Sequence, residues 1–195
     1  MSLDELRRKA SGCRACPLWA RATQTVFGEG QAPARVMLVG EQPGDEEDKQ
    51  GLPFVGPAGR LLDQALAEAG VKRRLVYVTN AVKHFNWEPR GKRRIHKTPA
   101  QKELAACYPW LEGEIAAVRP RLIICLGATA AKVLLGAAAR ITQIRGSVQR
   151  RAALPDIVAT FHPSYLLRLK DESEYATTYG QFVGDLRIAL PYLRQ

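Results

Sequence analysis

One stretch of this sequence combines fixed positive charge with a side chain able to act as a nucleophile. Lys92-Arg93-Arg94-Ile95-His96-Lys97 is the densest part of a basic segment, residues 83–98, which also holds Lys83 and Arg90 against one acid, Glu88. Neighbouring cations disfavour a further charge, so His96 is pushed toward its neutral form at working pH. A neutral imidazole keeps a lone pair for attack, whereas a protonated one is no nucleophile. Such a segment can hold a phosphate backbone and set a nucleophile against it. Taken alone, it reads first as a solvated run of charge with a bystander histidine.

A second set is Cys13-Arg14-Ala15-Cys16-Pro17, with Cys107 and Cys125 further along. Two thiolates at the first spacing can share one metal centre, and the following proline resembles the ending of some iron–sulfur motifs. Cys107 falls on an apolar helix face and Cys125 in an apolar strand, so two buried structural thiols are an equal reading. A zinc site of four cysteines is another, because residue type does not separate zinc from iron here.

The bulk composition narrows the partners. A chain of 195 residues suits one domain, residues 1–195, with a sizeable core. Its hydrophobic content of 46% is ordinary, but its formal net charge of +10 is not. That excess points to an anionic partner, nucleic acid before membrane surface. No stretch approaches the roughly 20 apolar residues of a membrane span. The chain opens on a capped amphipathic helix rather than an apolar signal segment, so a cytoplasmic monomer is expected. In that compartment the cysteines read as free thiols or metal ligands rather than disulfides.

The elements that must position these residues follow from apolar patterning. Ser2 and Glu5 predict a capping box on a first helix. Val36-Met37-Leu38-Val39, Leu75-Val76-Tyr77-Val78, Leu122-Ile123-Ile124-Cys125-Leu126 and Ile157-Val158-Ala159 are continuous apolar runs, as in strands buried on both faces. Helices are predicted over residues 57–69 and 128–135, and a last one is marked by Tyr175, Tyr179, Phe182 and Leu186. A further helix should start at a Thr98/Gln101 capping box, with Pro99 at its first position, and end before Pro120. Strands alternating with helices give an α/β fold with a parallel sheet covered on both sides. In such sheets ligands bind beyond the carboxyl ends of the strands. Gly40-Glu41-Gln42-Pro43-Gly44-Asp45, Thr79-Asn80 and Phe161-His162-Pro163-Ser164 would therefore gather on one edge with the basic segment.

Gly40-Glu41-Gln42-Pro43-Gly44, Pro53-Phe54-Val55-Gly56, Thr79-Asn80 and His162-Pro163-Ser164 resemble the motifs of the uracil-DNA glycosylase superfamily. The cysteines resemble those of its iron–sulfur branch. Gln42 stands where ordinary members of that branch usually carry a small residue. The Lys92-Arg93-Arg94-Ile95-His96-Lys97 segment resembles the insertion of X-type members, which bind uracil-DNA irreversibly. The resemblance implies a three-layer α/β/α sandwich around a four-stranded parallel sheet, and a 4Fe–4S cluster on Cys13, Cys16, Cys107 and Cys125. It implies uracil-containing DNA as the partner, single-stranded by preference, since a single strand removes the cost of unpairing a flipped base.

On that resemblance Phe54 stacks on the base, Asn80 pairs with uracil N3–H and O4, and Gln42 and Asp45 add contacts to the base or its waters. His162 donates a hydrogen bond to O2 as charge develops there, and Glu41 stabilises the cationic sugar or takes a proton from the attacking group. His96 attacks C1′ and stays attached to the abasic sugar; the alternative is turnover, with water as nucleophile and His96 only positioning phosphate or water. Arg168, Lys92, Arg93, Arg94 and Lys97 hold phosphates.

Overall fold

The computed structural model describes residues 1–150 and 155–194. In chain order the strands are β1 (Val36–Gly40), β2 (Val76–Asn80), β3 (Trp87–Arg90), β4 (Arg93–His96), β5 (Leu122–Leu126) and β6 (Asp156–Thr160). The helices are α1 (Leu3–Ala10), α2 (Asp45–Gln50), α3 (Pro57–Glu68), α4 (Gln101–Val118), α5 (Ala128–Leu135), α6 (Ile141–Ile144), α7 (Pro163–Leu166), α8 (Glu172–Arg187) and α9 (Leu190–Leu193).

A parallel four-stranded sheet in the order β2-β1-β5-β6 forms the centre. Every residue of β1, β2 and β5 is buried, which is why they are apolar throughout except for Thr79-Asn80 at the carboxyl end of β2. Val36 and Leu38 of β1 pack with Leu62 and Leu66 of α3 and Phe182 and Leu186 of α8 on one face. Met37 and Val39 turn the other way, toward Leu104 and Leu111 of α4 and Ala130 and Ala131 of α5. The expected three-layer α/β/α sandwich is therefore present.

This chain order creates a crevice. From β1 the chain steps to β2 through α3, then returns past β1 through α4 on the opposite face to reach β5. Keeping each crossover right-handed requires that change of face when the direction reverses. The segments leaving β1 and β5 consequently diverge, opening the sheet edge between Glu41 and Gly127.

Local signals account for the helix ends. Ser2 and Glu5 form the predicted box: Glu5 N–H donates to Ser2 Oγ at 3.2 Å, and Ser2 N–H to Glu5 Oε2 at 2.9 Å. The second predicted box is displaced. α4 starts at Gln101 with Ala100 as N-cap, whose N–H donates to Glu103 Oε2 at 2.7 Å. Pro99 thus precedes the helix instead of opening it. Thr98 is drawn out of the helix because its carbonyl accepts from Asn86 Nδ2 at 3.2 Å, beside Lys97 N–H donating to the Asn86 carbonyl at 2.9 Å.

The β3–β4 hairpin and α2, like the short α6, α7 and α9, escape the sequence reading. The basic segment contains an antiparallel hairpin, with Trp87 opposite His96 and Arg90 opposite Arg93 around Gly91-Lys92. Gly91 has φ +61°, the conformation a two-residue hairpin turn requires. Acid-rich α2 is capped by Gly44, and Glu47 in its first turn accepts from Gly44 N–H at 3.1 Å and Gly56 N–H at 2.8 Å. That carboxylate ties the loop after β1 to the start of α3.

Candidate active site

The crevice between the β1 and β5 exits is a cleft of about 690 Å³, lined among others by Glu41, Phe54, Asn80, His96, His162 and Arg168. Its floor is made by close approach. Gly40, the last residue of β1, lies opposite Asn80 in the sheet register. A Cβ at Gly40 would come within 2.3 Å of Asn80 Oδ1 and 2.6 Å of the Phe54 ring, so only glycine admits both side chains. Phe54 has φ +57°, a left-handed conformation costing a bulky residue about 1–2 kcal/mol. The first turn of α3 holds it there: a Cβ on Gly59 would lie 1.8 Å from the Phe54 carbonyl oxygen. The Phe54 and His162 rings face each other across a centroid distance of 6.1 Å.

Asn80 is 2% exposed, and its Oδ1 is the one buried side-chain nitrogen or oxygen among the described residues without a hydrogen-bond partner. An acceptor stripped of water and left unpaired costs about 1–3 kcal/mol. An N–H from an entering ligand removes that cost.

His162 follows β6 and caps α7. Ser164 N–H donates to His162 Nδ1 at 3.1 Å, and the Ser164 hydroxyl lies 2.8 Å from the same nitrogen. Nδ1 is therefore an acceptor, which places the ring proton of the neutral imidazole on Nε2. Burial pushes the His162 pKa down to about 4 against the opposing pull of Glu41, so the ring is neutral near pH 7.

Glu41 Oε1 accepts from His96 Nε2 at 3.1 Å, and Oε2 accepts from the Thr129 hydroxyl. Burial pushes this carboxyl up, but the hydrogen bonds from His96 and Thr129 outweigh it and hold Glu41 below its usual value. The site thus contains an ionised carboxylate aimed at a histidine. This differs from the expected setting of His96 among cations alone. Alternation along β4 explains the difference: Arg94 and His96 share one face and both reach carboxylates, Arg94 largely buried and His96 half exposed, while Arg93 projects from the other face.

Arg94 is also redirected from its expected role. Its guanidinium donates to Asp45 Oδ1 and to Asp48 Oδ2, each at 2.5 Å, and stacks 5.5 Å from the Phe85 and Trp87 ring centres. With its side chain 20% exposed, it anchors the hairpin to α2 instead of facing phosphate. Asp45, expected at the base, is taken up by Arg94 and by Lys49, the latter also at 2.5 Å. Gln42 lines the cleft, yet its amide is committed to backbone: Oε1 accepts from Asn86 N–H at 3.0 Å, and Nε2 donates to the Asn86 and Lys97 carbonyls at 3.2 and 3.1 Å. It clamps both feet of the hairpin and so sets His96. Lys92, Arg93 and Lys97 remain exposed, and Arg168 on the cleft rim donates to Ser164 Oγ at 3.3 Å. Thr129 and Glu47 were missed in the sequence, where nothing distinguishes them from any helix-start threonine or surface acid.

The cysteines divide. Cys13 accepts from Trp110 Nε1–H and Cys107 from the Lys83 backbone N–H, both at 3.2 Å. Burial pushes the Cys107 thiol up to about 11; nearby Cys13 and Cys16 add to this, and Lys83 opposes it. Cys125, inside β5 between Val39 and Ala159, is raised to about 12 by burial alone. His84 adjoins Lys83 in the chain and is buried. Thr25 Oγ1 donates to the Ala10 carbonyl and so accepts from His84 Nε2, both at 3.0 Å, while Cys13 N–H reaches that same carbonyl. The His84 Nδ1 lone pair is left over. No three His, Cys, Asp or Glu side chains among the described residues converge on a point that could hold a single metal ion.

Comparison with known proteins joins this geometry to a family. Residues 27–187 match the pattern of the uracil DNA glycosylase superfamily. The chain is 41% identical to the type-4 uracil-DNA glycosylase of Thermotoga maritima, over 85% of this chain and 83% of the relative. It is 35% identical to the type-4 uracil-DNA glycosylase of Archaeoglobus fulgidus, over 95% and 93%. A type-5 uracil-DNA glycosylase of Pyrobaculum aerophilum is 32% identical over 76% and 69%. With most of its length matched and every strand of the central sheet inside the match, this chain belongs to the uracil-DNA glycosylase superfamily.

Proposed function

We propose that this protein excises uracil from DNA, and the observation that carries the reading is the orphaned Oδ1 of Asn80 beside the Phe54 ring. A uracil stacked on Phe54 would give its N3–H to Oδ1 and accept the Asn80 amide at O4. Cytosine presents an acceptor at N3 and a donor at its 4-position, the reverse pattern. A mismatch there leaves buried polar groups unpaired, which discriminates far more strongly than size. The relatives' names support the same activity.

The charges that form on cleavage have partners in the cleft. As the glycosidic bond lengthens, negative charge gathers on the base and positive charge on the sugar. The Nε2–H of neutral His162 supplies a fixed donor for uracil O2, and the Glu41 carboxylate faces the sugar. Removing one such preorganised donor costs about 10²–10³ in rate. Arg168 and the exposed Lys92, Arg93 and Lys97 supply sequence-independent phosphate contacts. Among the described residues no helix is long and apolar enough to cross a membrane.

Turnover with water as nucleophile is the reading that the type-4 relatives favour, Glu41 and His96 positioning and deprotonating that water. One observation favours capture of the sugar by His96: Gln42 and Arg94 together fix the hairpin so that the His96 ring lies against Glu41, in the cleft. In that case the Glu41 carboxylate takes the Nε2 proton as the freed lone pair closes on C1′.

We further propose that Cys13, Cys16 and Cys107 hold a 4Fe–4S cluster, with His84 rather than the expected Cys125 as fourth donor: His84 follows Lys83, whose N–H reaches Cys107, and it bonds Thr25, which shares the Ala10 carbonyl with Cys13. Cleavage of an N-glycosidic bond moves no electron, so a bound cluster would tie the segment after α1 to α4 and the β2 exit.

Asn80→Ala should slow single-turnover excision from a uracil oligonucleotide by about 10²-fold or more; an unchanged rate removes Asn80 from base recognition. Heating the reaction in detergent before electrophoresis decides the fate of the sugar. Free abasic DNA supports turnover, whereas a retarded band lost in His96→Ala supports capture. For the cluster, iron content and broad visible absorption of anaerobically purified protein should survive Cys125→Ala and fall in His84→Ala. The opposite pattern restores Cys125 as the ligand.

A further inference from the structure

Beneath the site lies an ion pair with no solvent contact. The side chains of Lys83 and Glu114 are 1% and 0% exposed, and Lys83 Nζ donates to Glu114 Oε2 at 2.5 Å. The ammonium spends its other two protons on Thr79 Oγ1 and the backbone carbonyl of Asn80, each at 2.7 Å. Glu114 is equally saturated. Its Oε1 accepts from Gly28 N–H and Tyr77 OH at 2.9 Å and lies 3.0 Å from the Thr79 hydroxyl. Filling space does not by itself call for two buried charges, since a well-packed apolar pair often serves as well; here the pair also satisfies the Gly28 N–H, the Tyr77 and Thr79 hydroxyls and the Asn80 carbonyl.

What the charges do, and an apolar pair could not, is hold the carbonyl of Asn80. β2 is an edge strand of the sheet. β1 takes the amide that follows Asn80, Ala81 N–H donating to the Gly40 carbonyl at 2.9 Å. The Asn80 carbonyl is taken by Lys83. Both flanks of the Asn80–Ala81 peptide are thereby fixed, and with them the direction of the Asn80 side chain. Lys83 is in turn held at two points of α4: its ammonium by Glu114 and its backbone N–H by the sulfur of Cys107, seven residues and so two turns earlier on the same face.

We infer that Lys83 and Glu114 are positioning residues for uracil recognition, fixing the Asn80 peptide so that its unpaired Oδ1 meets the N3–H of the base. This rests on the assignment of Asn80 to base reading. It also makes α4, which carries Cys107, part of the specificity apparatus rather than only a wall of the core.

The double variant Lys83→Met/Glu114→Leu strands neither charge, but it leaves the Gly28 N–H, the Tyr77 and Thr79 hydroxyls and the Asn80 carbonyl short of partners, so it should fold and melt below the parent protein. Two readouts follow. Single-turnover excision of uracil should fall about 10²-fold, the scale of a small misplacement at a reacting site. The preference of the cleft for free uracil over 3-methyluracil, which lacks the N3–H, should fall with it, while affinity for an undamaged oligonucleotide stays constant. A pair that merely stabilises the fold would leave that preference untouched. If the folded double variant keeps the parental rate and preference while Asn80→Ala loses both, the positioning role is overturned and Asn80 stands. If Asn80→Ala also keeps both, the reading of Asn80 and the role of the pair fall together. Lys83→Arg serves if the double variant does not fold. It keeps the charge but replaces a compact ammonium with a planar fork, and it should lose the preference; its retention would equally overturn the inference.

Discussion

A single unpaired oxygen organises this molecule. Burying an acceptor and leaving it without a donor is a cost that most folds avoid, and here it occurs once among the described side chains, at Asn80 Oδ1. Gly40 leaves room for it, Phe54 lies beside it in a strained backbone conformation, and Gly59 lets α3 press on Phe54 from behind. Strain and an unmet hydrogen bond at the same few residues are what a site prepared for a planar ligand with an N–H donor looks like.

The electrostatics are arranged around that point. His162 is kept neutral by burial, and its tautomer is set by Ser164, so it offers a donor without adding a charge. Glu41 stays ionised because His96 and Thr129 both donate to it. On the proposed reading the Glu41 carboxylate faces the sugar and His162 offers a neutral donor to the base, matching the charge separation of a breaking N-glycosidic bond. Exposed Lys92, Arg93 and Lys97 on the hairpin and Arg168 at the cleft rim place positive charge outside this centre.

The parallel sheet was legible because its strands are covered on both faces and so are apolar without interruption, and Gly40-Glu41, Thr79-Asn80 and His162 could be placed at their carboxyl ends from order alone. The hairpin was not legible. Its strands are charged and carry Pro89, and they are held by side chains distant in sequence: Gln42, Asp45, Asp48 and Asn86. For the same reason charge density missed the partners of His96 and Arg94, and the resemblance missed that Arg94 takes up Asp45. Counting cations along a segment does not reveal that alternation turns two of its residues toward carboxylates on another element. The start of α4 failed similarly: Thr98 and Pro99 are good local signals, but Asn86 had a prior claim on Thr98. The resemblance implied Cys125 as a ligand, while its position in β5 keeps it between β1 and β6 in the sheet.

The most direct measurement is a crystal structure of the protein soaked with free uracil. The account predicts uracil stacked on Phe54, with N3 about 3 Å from Asn80 Oδ1 and O2 within hydrogen-bond reach of His162 Nε2. Uracil bound elsewhere, or lying in the cleft with Asn80 Oδ1 still unpaired, would contradict it.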